Sequence, residues 1–460
     1  MTGIDVEGFF WADNPESRVR GHLTFDGRVS LALESTLRLV KDASRDKLGV
    51  IYGTTLLGQP LCLSDCFVYE QIIGNVQHRQ SWSANKLLVG THDPEPEVIG
   101  VSVTIQDFSL LWGAPDVDLK KGQRDGRESL DIEWLSRGQL SLTVGELTLE
   151  IDDDYEVRGN GAHLELDSAP RIRFKLKDPG PVEPLNQAVG PLLVLANVFL
   201  RRPVALLEQH VELPDGSEVH ELFAQRPIHQ EGGKPQQPWV PLGNLQPLDH
   251  SLTRWYEFAA ELPSAFAMVA EYTRAGPTTP WEDRLSYLAR FVEQYHRKRY
   301  DSSRMSKQQF KQKRALVKST LHAAKLEELA SWTHSLTEHA NEKRLAERLQ
   351  ELVEDLGDTA APVLPNPETW AKAVADTRNY YTHYSDYLQS QAAHEFDLVI
   401  MTKQLWWVVR ACLLREMGFD NARSIELFSF DSEQAWLVNQ QRHAADHESE
   451  EIEATSETAG

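Results

Sequence analysis

Hydrophobic residues recur at one spacing in the first half of this sequence and at another spacing in the second half. These two spacings limit the folds that the chain can adopt. Before residue 225, apolar and polar residues alternate, as in "GQLSLTVGELTLEID". After residue 250, apolar residues recur at a spacing of three or four, as in "DRLSYLARFVEQYH". Alternation buries one face of a β-strand, whereas a spacing of three to four buries one face of a helix. We therefore predict an α+β multidomain protein, with a β-rich half followed by an all-α half.

The β-rich half is predicted to be antiparallel. Asp26 and Gly27 stand between two alternating segments in "HLTFDGRVSLALES". An Asp-Gly pair in that position favours a hairpin, since type I′ turns need positive φ at both central residues. A further alternating segment, "RIRFKLK", covers residues 171–177. Short strands separated by turn signals are typical of an antiparallel sandwich or of a curled sheet, and we predict a sandwich-like domain.

Composition places the boundary between the two halves at residues 225–250. This segment is rich in Pro, Gly and Gln, and it can sustain neither a helix nor a central strand. The helical stretches that follow have short connections and predict an antiparallel bundle. The last residues are acidic and poor in apolar side chains, which is typical of a disordered tail. The predicted domains are 1–224 (β-rich), 225–250 (linker), 251–440 (helical bundle) and 441–460 (tail).

Neither a membrane span nor a secretion signal is recognisable in the sequence. The longest apolar run, Pro191–Leu200, is much shorter than the roughly 20 residues that a transmembrane helix needs. The chain opens on the acidic "MTGIDVEGFFWADNPE", without a basic and apolar leader. Cys62 and Cys66 lack a second pair for a zinc site, and Cys412 lies in an apolar segment typical of a core. We therefore expect a cytoplasmic protein with no membrane partner, no metal and no cofactor.

The net charge argues against simple attraction to nucleic acid, but positive charge is concentrated in one region. The formal net charge is −22, and a field of that sign repels phosphate. Between Arg290 and Lys318, however, basic residues are interrupted by aromatic ones, which is one requirement of an RNA-binding face. A solvated helix face explains the same composition. The candidate RNA-binding residues are Arg297, Lys298, Arg299, Lys311 and Arg314.

The segment "ADTRNYYTHYSDY", residues 375–387, contains the side chains best suited to chemistry on RNA. Asn379 and His383 are four apart and share one face of a helix, and Arg378 lies about 100° round from Asn379. Arginine presents a planar fork to phosphate oxygens, and histidine exchanges a proton near neutral pH. Asn379 can orient the substrate or the histidine. These three residues are the candidate catalytic set.

Cleavage of RNA without a metal needs few groups. The ribose 2′-OH is the nucleophile, so the protein has only to move protons and to stabilise charge on the phosphate. The candidate set nevertheless lacks a second proton-transfer group, and an Arg and a His on a helix surface are also compatible with a structural role. Tyr380, Tyr384 and Tyr387 form a neighbouring stripe, which we interpret as packing rather than as a surface for base stacking.

Residues 378–383 fit an R-x(4–6)-H pattern with a polar residue after the arginine, and in this they resemble HEPN domains. The segment "TRNYYTHYS" resembles the ApeA-like branch of that family. The upstream helix "YLARFVEQYHRKRY" is similar to the first HEPN helix, with Glu293 where the family often has an acid. The first half is similar to the ApeA N-terminal domain through "GFFW", "RVRGHLTFDG" and "VIYGTTLLGQPLCLSDC". The resemblance therefore covers most of the chain, and implies that the predicted bundle is of the HEPN type.

The resemblance also implies a function and assigns roles to the candidate residues. HEPN nucleases are metal-independent endoribonucleases that dimerise, so that Arg and His of two protomers form one cleft, and ApeA-type proteins are associated with abortive infection. By this resemblance His383 would be the general acid and base, Arg378 would bind the phosphate and its transition state, and Asn379 would support both. The implied partners are RNA, a phage-derived trigger sensed by the N-terminal domain, and a second copy of the chain. The sequence does not choose between tRNA, rRNA and mRNA as substrate.

An alternative hypothesis stays open. Some HEPN domains bind nucleotides or protein partners without cutting RNA. The helical half would then be a dimerising, non-catalytic sensor or adaptor, and the overall negative charge of the chain agrees with this hypothesis.

Overall fold

The computed structural model describes residues 3–38, 47–73, 78–113, 116–124, 127–135, 139–160, 163–223, 237–276, 278–337, 340–364 and 366–440. The chain forms two compact units, Met1–Asp249 and His250–Gly460. The first is β-rich and antiparallel and the second is helical, which confirms the predicted fold class. The acidic segment that we predicted to be a disordered tail, residues 441–460, lies outside the described residues.

Antiparallel strands make up most of the N-terminal unit. The described strands are β1 (Ile4–Trp11), β2 (Val19–Phe25), β3 (Val29–Leu33), β4 (Lys47–Thr55), β5 (Pro60–Ile73), β6 (His78–Ala84), β7 (Lys86–Val89), β8 (Val98–Ile105), β9 (Asp116–Arg124), β10 (Arg127–Leu135), β11 (Leu140–Val144), β12 (Leu147–Asn160), β13 (His163–Gly180), β14 (Leu206–Glu212) and β15 (Glu218–Phe223). Two helices accompany them, α1 (Phe108–Trp112) and α2 (Glu183–Leu200).

The main sheet contains 13 strands and curls on itself. Its order is β11-β12-β13-β8-β14-β15-β7-β5-β4-β1-β2-β3-β6, and every neighbouring pair is antiparallel. Strand β5 also pairs with β6, so that β5, β4, β1, β2, β3 and β6 close into a ring. Strands β9 and β10 form a separate ribbon. Of the two shapes that the strand pattern predicted, the structure has the curled sheet.

The ring encloses a hydrophobic core built from alternate strand positions. Phe10 of β1 lies opposite Gly53 of β4, and the phenyl group of Phe10 occupies the space that a side chain at Gly53 would need. A Cβ at Gly53 would lie 2.5 Å from Phe10 Cδ1. The buried members of this core are Phe10, Leu23, Phe25, Val29, Leu31, Leu33, Leu48, Ile51, Leu61, Leu63, Cys66, Val68, Trp82, Ala84, Leu87 and Leu222.

The hairpin predicted at Asp26 and Gly27 is confirmed, although its turn is of another type. Strands β2 and β3 pair antiparallel, with Phe25 opposite Val29. The loop therefore has three residues, and Gly27 alone among them has a positive φ, 97°. A type I′ turn would need two such residues, so the glycine and not the Asp-Gly pair determines this turn.

The described part of the predicted linker packs against α2. The indole of Trp239 stacks on Phe199 with ring centroids 5.1 Å apart, and Trp239 Nε1 donates to the carbonyl oxygen of Val198 at 3.1 Å. Val240 and Leu242 are buried as well. The apolar side chains scattered between the prolines explain this packing. The prediction of a linker is therefore wrong for residues 237–249, which belong to the N-terminal unit.

Helices make up the C-terminal unit as far as it is described. They are α3 (Leu248–Glu261), α4 (Pro263–Arg274), α5 (Trp281–Arg299), α6 (Lys307–Ala323), α7 (Glu327–Leu336), α8 (Leu345–Leu356), α9 (Pro367–His383), α10 (Asp386–Gln389), α11 (Glu395–Glu416) and α12 (Asn421–Phe428). Among the described residues, no helix combines the length and the hydropathy that a membrane span requires.

Helices α5 and α11 form the centre of the bundle. Helix α11 buries 15 of its 22 residues, so that it is covered on all sides. Helix α5 contacts α4, α8, α9 and α11. Gly418 stops α11, because it has a φ of 95° and the N–H of Phe419 donates to the carbonyl oxygen of Leu414 at 3.1 Å. The bundle therefore presents α9 against one side of α5.

The three cysteines are buried core residues. Cys62 and Cys66 lie in β5, and Cys412 lies in α11. Burial raises the pKa of the Cys62 thiol to about 11 and that of Cys66 to about 12. Both thiols therefore stay protonated near neutral pH, and a protonated thiol is a poor nucleophile.

Helices α6 and α7 form a hairpin that the sequence analysis did not identify as such. No residue of α6 is buried, and in α7 only Ala330 is. At the base of the hairpin, Asn341 Oδ1 accepts from the N–H of Met305 at 3.1 Å, and Asn341 Nδ2 donates to the carbonyl oxygen of Met305 at 2.9 Å. The hairpin is thus fixed at its base while its helices stay largely exposed.

Candidate active site

The start of α9, the helix that carries the motif, is set by its sequence. The side-chain oxygen of Asn366 accepts from the N–H of Thr369 at 3.1 Å, and Pro367 follows at the first helical position, where no N–H partner is needed. Helix α9 packs on α8 and α5. The buried residues of α9 are Trp370, Ala371, Val374, Ala375 and Thr377. The candidate catalytic residues begin where this buried face ends.

The guanidinium of Arg378 is held in place by two neighbours. Its Nη2 lies 3.5 and 3.4 Å from the two carboxylate oxygens of Glu293 on α5, and its Nη1 donates to Asn379 Oδ1 at 3.1 Å. The side chains of Arg378 and Glu293 are 24% and 26% exposed. A tight charge-assisted hydrogen bond measures about 2.7–2.9 Å, so the contact with Glu293 is loose. The fork is therefore oriented while it stays accessible to an anion.

His383 lies at the opposite end of the motif and is exposed. It is the last residue of α9. Five positions separate it from Arg378, which places the two about 140° apart round the helix. Within the described residues, Arg378 contacts Asn379 and Glu293 and not His383. One chain therefore orients the arginine but does not bring it together with the histidine.

An aromatic cluster follows the motif and includes a histidine that the sequence analysis missed. The ring of Tyr380 packs edge to face on Tyr381, Tyr384 and His394, with centroids 5.0, 5.7 and 5.4 Å away. The hydroxyl of Tyr381 lies 3.1 Å from Nδ1 of His394. Tyr384 and Tyr387 are nevertheless 64% and 74% exposed. Part of the tyrosine stripe packs as predicted, and part of it faces solvent.

Two of the predicted RNA-binding arginines are engaged in ion pairs. Arg299 donates to both carboxylate oxygens of Glu416, at 3.0 and 2.7 Å, and to Glu261 at 3.0 Å. The hydrogen bonds with Glu416 raise the pKa of Arg299. Arg297 lies 3.3 Å from Glu342. A phosphate would have to displace these carboxylates, so neither guanidinium is freely available.

The other three predicted RNA-binding residues differ among themselves. Arg314 donates to the carbonyl oxygen of His334 at 2.7 Å, and so joins α6 to α7. Lys298 on α5 and Lys311 on α6 are exposed, and no ion pair joins either of them to a described residue. These two lysines are the members of the predicted set that are open to a phosphate.

A cavity of about 470 Å³ lies within the helical unit. Three arginines and several carboxylates line it, and Arg415 donates to the hydroxyl of Tyr300 at 3.0 Å. The residues around it include Arg254, Glu257, Glu261, Arg299, Asp355 and Glu416. Across the described part of the chain, no three His, Cys, Asp or Glu side chains come together as a metal site would need.

Comparison with known families covers both units of the chain. The model for ApeA N-terminal domain 1 matches residues 5–250, which is more than half of the chain, and the model for the Apea-like HEPN matches residues 287–423. No curated protein and no solved structure matches. The second match contains Glu293, Arg378, Asn379 and His383. This chain therefore belongs to the ApeA-like family, with an ApeA N-terminal domain followed by an Apea-like HEPN domain.

Proposed function

We propose that this protein is a metal-independent HEPN endoribonuclease that acts in defence against phage by abortive infection. The observation that carries the proposal is the motif arginine, which Glu293 and Asn379 orient at the accessible end of α9. An oriented guanidinium stabilises developing charge on a phosphate without first having to reorganise. The family match supports the same activity, since HEPN domains are often RNases.

The proposed reaction is attack of a ribose 2′-OH on the adjacent phosphate. His383 of one protomer takes the proton of the 2′-OH, and Arg378 binds the non-bridging oxygens. The 5′-oxygen leaves and receives a proton from a second acid, so that the products are a 2′,3′-cyclic phosphate and a 5′-hydroxyl. Two positioned proton-transfer groups suffice for this step.

A dimer supplies what one chain lacks. Arg378 and His383 diverge on α9, and no hydrogen bond or ion pair joins the side chain of His383 to an acidic group among the described residues. In a two-fold symmetric dimer the same patch faces its own copy. Two α9 helices that meet in this way bring two arginines and two histidines to one phosphate. We propose that a homodimer is the active form, and that the N-terminal unit senses a phage-derived trigger or restrains the nuclease.

The proposal assigns Glu293 the role of positioning Arg378. Glu293→Ala is expected to lower kcat about 10-fold and to leave KM within about threefold, since misplacing a catalytic group lowers the rate more than the affinity. Glu293→Gln should recover most of the activity, because an amide oxygen still accepts from the guanidinium. Steady-state kinetics of the three proteins checks this. An equal loss in both variants, or a loss confined to KM, would contradict the positioning role.

The two open lysines are expected to account for part of the salt dependence of RNA binding. The double variant Lys298→Ala/Lys311→Ala should bind RNA more weakly, and its slope of log K against log salt should be less steep by about 1.4, since each contact with a single strand contributes about 0.7. Arg299→Ala is the matched control, because Glu416 and Glu261 already occupy that guanidinium. Fluorescence anisotropy over a salt series measures the slope. An unchanged slope in the double variant would remove both lysines from the interface.

The proposed function is tested by incubating the purified protein with total cellular RNA in EDTA and mapping the product ends. New 2′,3′-cyclic phosphate and 5′-hydroxyl ends with the wild type only, and not with His383→Ala, would support it. If the wild type is silent, the assay is repeated in lysate from phage-infected cells, where a gated enzyme should begin to cut. Silence in both settings would reject the nuclease in favour of the alternative.

The alternative is a non-catalytic sensor or adaptor. The observation in its favour is the cavity of about 470 Å³, which has room for a small polar ligand. Positively and negatively charged side chains both line this cavity. This hypothesis expects a nucleotide to bind and no RNA to be cut. Calorimetric titration of the protein with nucleoside mono-, di- and triphosphates, next to the RNA assay, separates the two functions.

A further inference from the structure

Tyr381 and His394 form a hydrogen-bonded pair beside the motif. The hydroxyl of Tyr381 lies 3.1 Å from Nδ1 of His394 and 3.2 Å from the carbonyl oxygen of Ala393. On the other side of the imidazole, Nε2 of His394 lies 2.9 Å from the carbonyl oxygen of Gln389. Both ring nitrogens of His394 are therefore engaged, one by a hydroxyl that can donate or accept and the other by a carbonyl oxygen that can only accept.

The fold places the hydroxyl of Tyr381 near the turn of α9 from which Arg378 extends. Tyr381 follows Arg378 by three positions, so the two side chains lie on one face of the helix. A long helical side chain leans back over the preceding turn. Ala393 shows that Tyr381 does so, because the N–H of Ala393 donates to Thr377 Oγ1 at 2.9 Å while its carbonyl oxygen contacts the tyrosine hydroxyl. Since Thr377 directly precedes Arg378, the hydroxyl and the arginine belong to the same part of the surface.

The hydrogen bonds of His394 determine which of its nitrogens can move a proton. Nε2 carries a hydrogen in both charge states of the ring, because the carbonyl oxygen of Gln389 can only accept. In the neutral ring, Nδ1 therefore accepts the hydroxyl hydrogen of Tyr381. In the protonated ring, Nδ1–H donates to the hydroxyl oxygen, and the hydroxyl hydrogen is released for another acceptor. Protonation of His394 thus makes the hydroxyl of Tyr381 a donor to a group outside the pair.

We propose that Tyr381 is the second acid of the nuclease and that His394 supplies it with a proton, a role that rests on the proposed function and completes its mechanism. As the bond between phosphorus and the 5′-oxygen breaks, the hydroxyl of Tyr381 gives its proton to that oxygen. In the same step Nδ1–H of protonated His394 passes its proton to the tyrosine oxygen. His394 is exposed and regains a proton from water. His383 releases to water the proton that it took from the 2′-OH, so protons balance over one turnover.

The surroundings of Tyr381 explain why it needs the histidine. Burial raises the pKa of the Tyr381 hydroxyl, and the nearby carboxylate of Glu282 raises it further. The hydroxyl therefore stays protonated and ready to donate at neutral pH. For the same reason a tyrosinate left after the transfer would be costly. A proton that arrives from His394 in the same step avoids this anion.

An acid next to Arg378 also agrees with the geometry of the reaction. The attacking and the leaving oxygen lie roughly in line on opposite sides of the phosphorus, so the base and the acid must act from opposite sides. On one α9, His383 follows Tyr381 by two positions and points about 160° away from it. In the proposed dimer, His383 of one protomer faces Arg378 and Tyr381 of the other protomer across the phosphate. The base and the acid then act from opposite sides, as the reaction requires.

The test compares two RNAs that differ in the atom that leaves. One is an ordinary RNA, and in the other a single 5′-oxygen is replaced by sulfur. Because a free thiol has a pKa of about 8.5, the sulfur leaves as a thiolate and needs no acid. On the ordinary RNA, Tyr381→Phe should lower the single-turnover rate about 100-fold and His394→Asn about 10-fold. On the sulfur-containing RNA both variants should match the wild type, whereas His383→Ala should remain impaired on both RNAs because it lacks the base.

Tyr380→Phe is the matched control. Tyr380 is half-buried like Tyr381, but its hydroxyl makes no hydrogen bond to a described residue, so this variant should cut both RNAs at the wild-type rate. Tyr381→Phe keeps the ring that packs on Tyr380. His394 is the N-cap of α11, and asparagine is a favourable residue at that position. Thermal unfolding of both test variants should therefore resemble that of the wild type.

The other outcomes overturn different parts of the proposal. If Tyr381→Phe cuts the ordinary RNA at the wild-type rate, or loses the same factor on both RNAs, Tyr381 is not the acid, and the proposed nuclease stands with another proton donor. If His394→Asn alone keeps full activity, Tyr381 acts without the histidine. If the wild type cuts neither RNA, in buffer or in lysate from phage-infected cells, the proposed function fails together with the assignment of the acid.

Discussion

Replacing His383 with alanine is expected to lower the rate of RNA cleavage by about 10²–10⁴-fold, the usual contribution of a general acid or base. Stability should not change, because His383 is exposed at the end of α9 and its side chain makes no hydrogen bond to a described residue. RNA affinity should stay within about threefold, since the residue acts on a proton and not on the backbone. Single-turnover cleavage in EDTA gives the rate, and arrest of growth on expression gives the cellular effect.

Replacing Arg378 should be as damaging, for a different reason. Arg378→Ala removes the group proposed to bind the phosphate oxygens in the transition state, so that kcat/KM falls through both binding and chemistry. Arg378→Lys should rescue it only in small part, because an ammonium keeps the charge and loses the planar fork. His334→Ala on α7 and Arg274→Ala on α4 are the matched controls, since both residues are exposed and lie on other helices. If His383→Ala and Arg378→Ala both remain fully toxic, the site assignment is wrong.

The sequence predicted those parts of the fold in which one face of an element is buried. Alternation identified β2 and β3 of the ring and β11, β12 and β13 elsewhere in the sheet, and a spacing of three or four identified α5. Helices α6 and α7 lack such a face, since Ala330 is their only buried residue. The composition of α6 therefore resembled a solvated basic segment. The packing of Trp239 on Phe199 was equally hard to predict, because the prolines around it dominate the local pattern.

The candidate site was predictable only where its residues are neighbours in sequence. Arg378, Asn379 and His383 lie on one helix, so their spacing was sufficient to group them. The contact of Arg378 with Glu293 joins positions 85 residues apart, and the resemblance had marked Glu293 only as an acid. Likewise, Arg299 appeared to be a free cation until the fold brought it to Glu416, 117 residues away. Local pattern gives the residue types of a site, and tertiary packing decides which of them remain free to bind.

Removing one partner of the buried ion pair between Arg410 and Asp431 is expected to destabilise the helical unit by about 3–5 kcal/mol. Both side chains are fully buried, and Arg410 also lies 2.8 Å from Glu433. The guanidinium packs over the rings of Trp407 and Phe428, so Asp431→Ala would leave much of its charge without compensation in an apolar setting. Denaturant unfolding followed by tryptophan fluorescence measures the loss. Arg274→Ala, which breaks an exposed pair with Glu271, should cost no more than about 1 kcal/mol.

Variants of the same ion pair can distinguish a loss of activity caused by unfolding from one caused by removal of a catalytic group. Replacing both partners by apolar residues, as in Arg410→Met/Asp431→Leu, removes the uncompensated charge and should restore most of the stability. Arg410 lies on α11, which packs against α5, the helix that carries Glu293. If Asp431→Ala loses cleavage activity, the double variant should therefore recover it. No second replacement in the core should restore the activity of His383→Ala. A double variant that is stable but inactive would contradict this separation, because it would give the buried pair a role in the reaction itself.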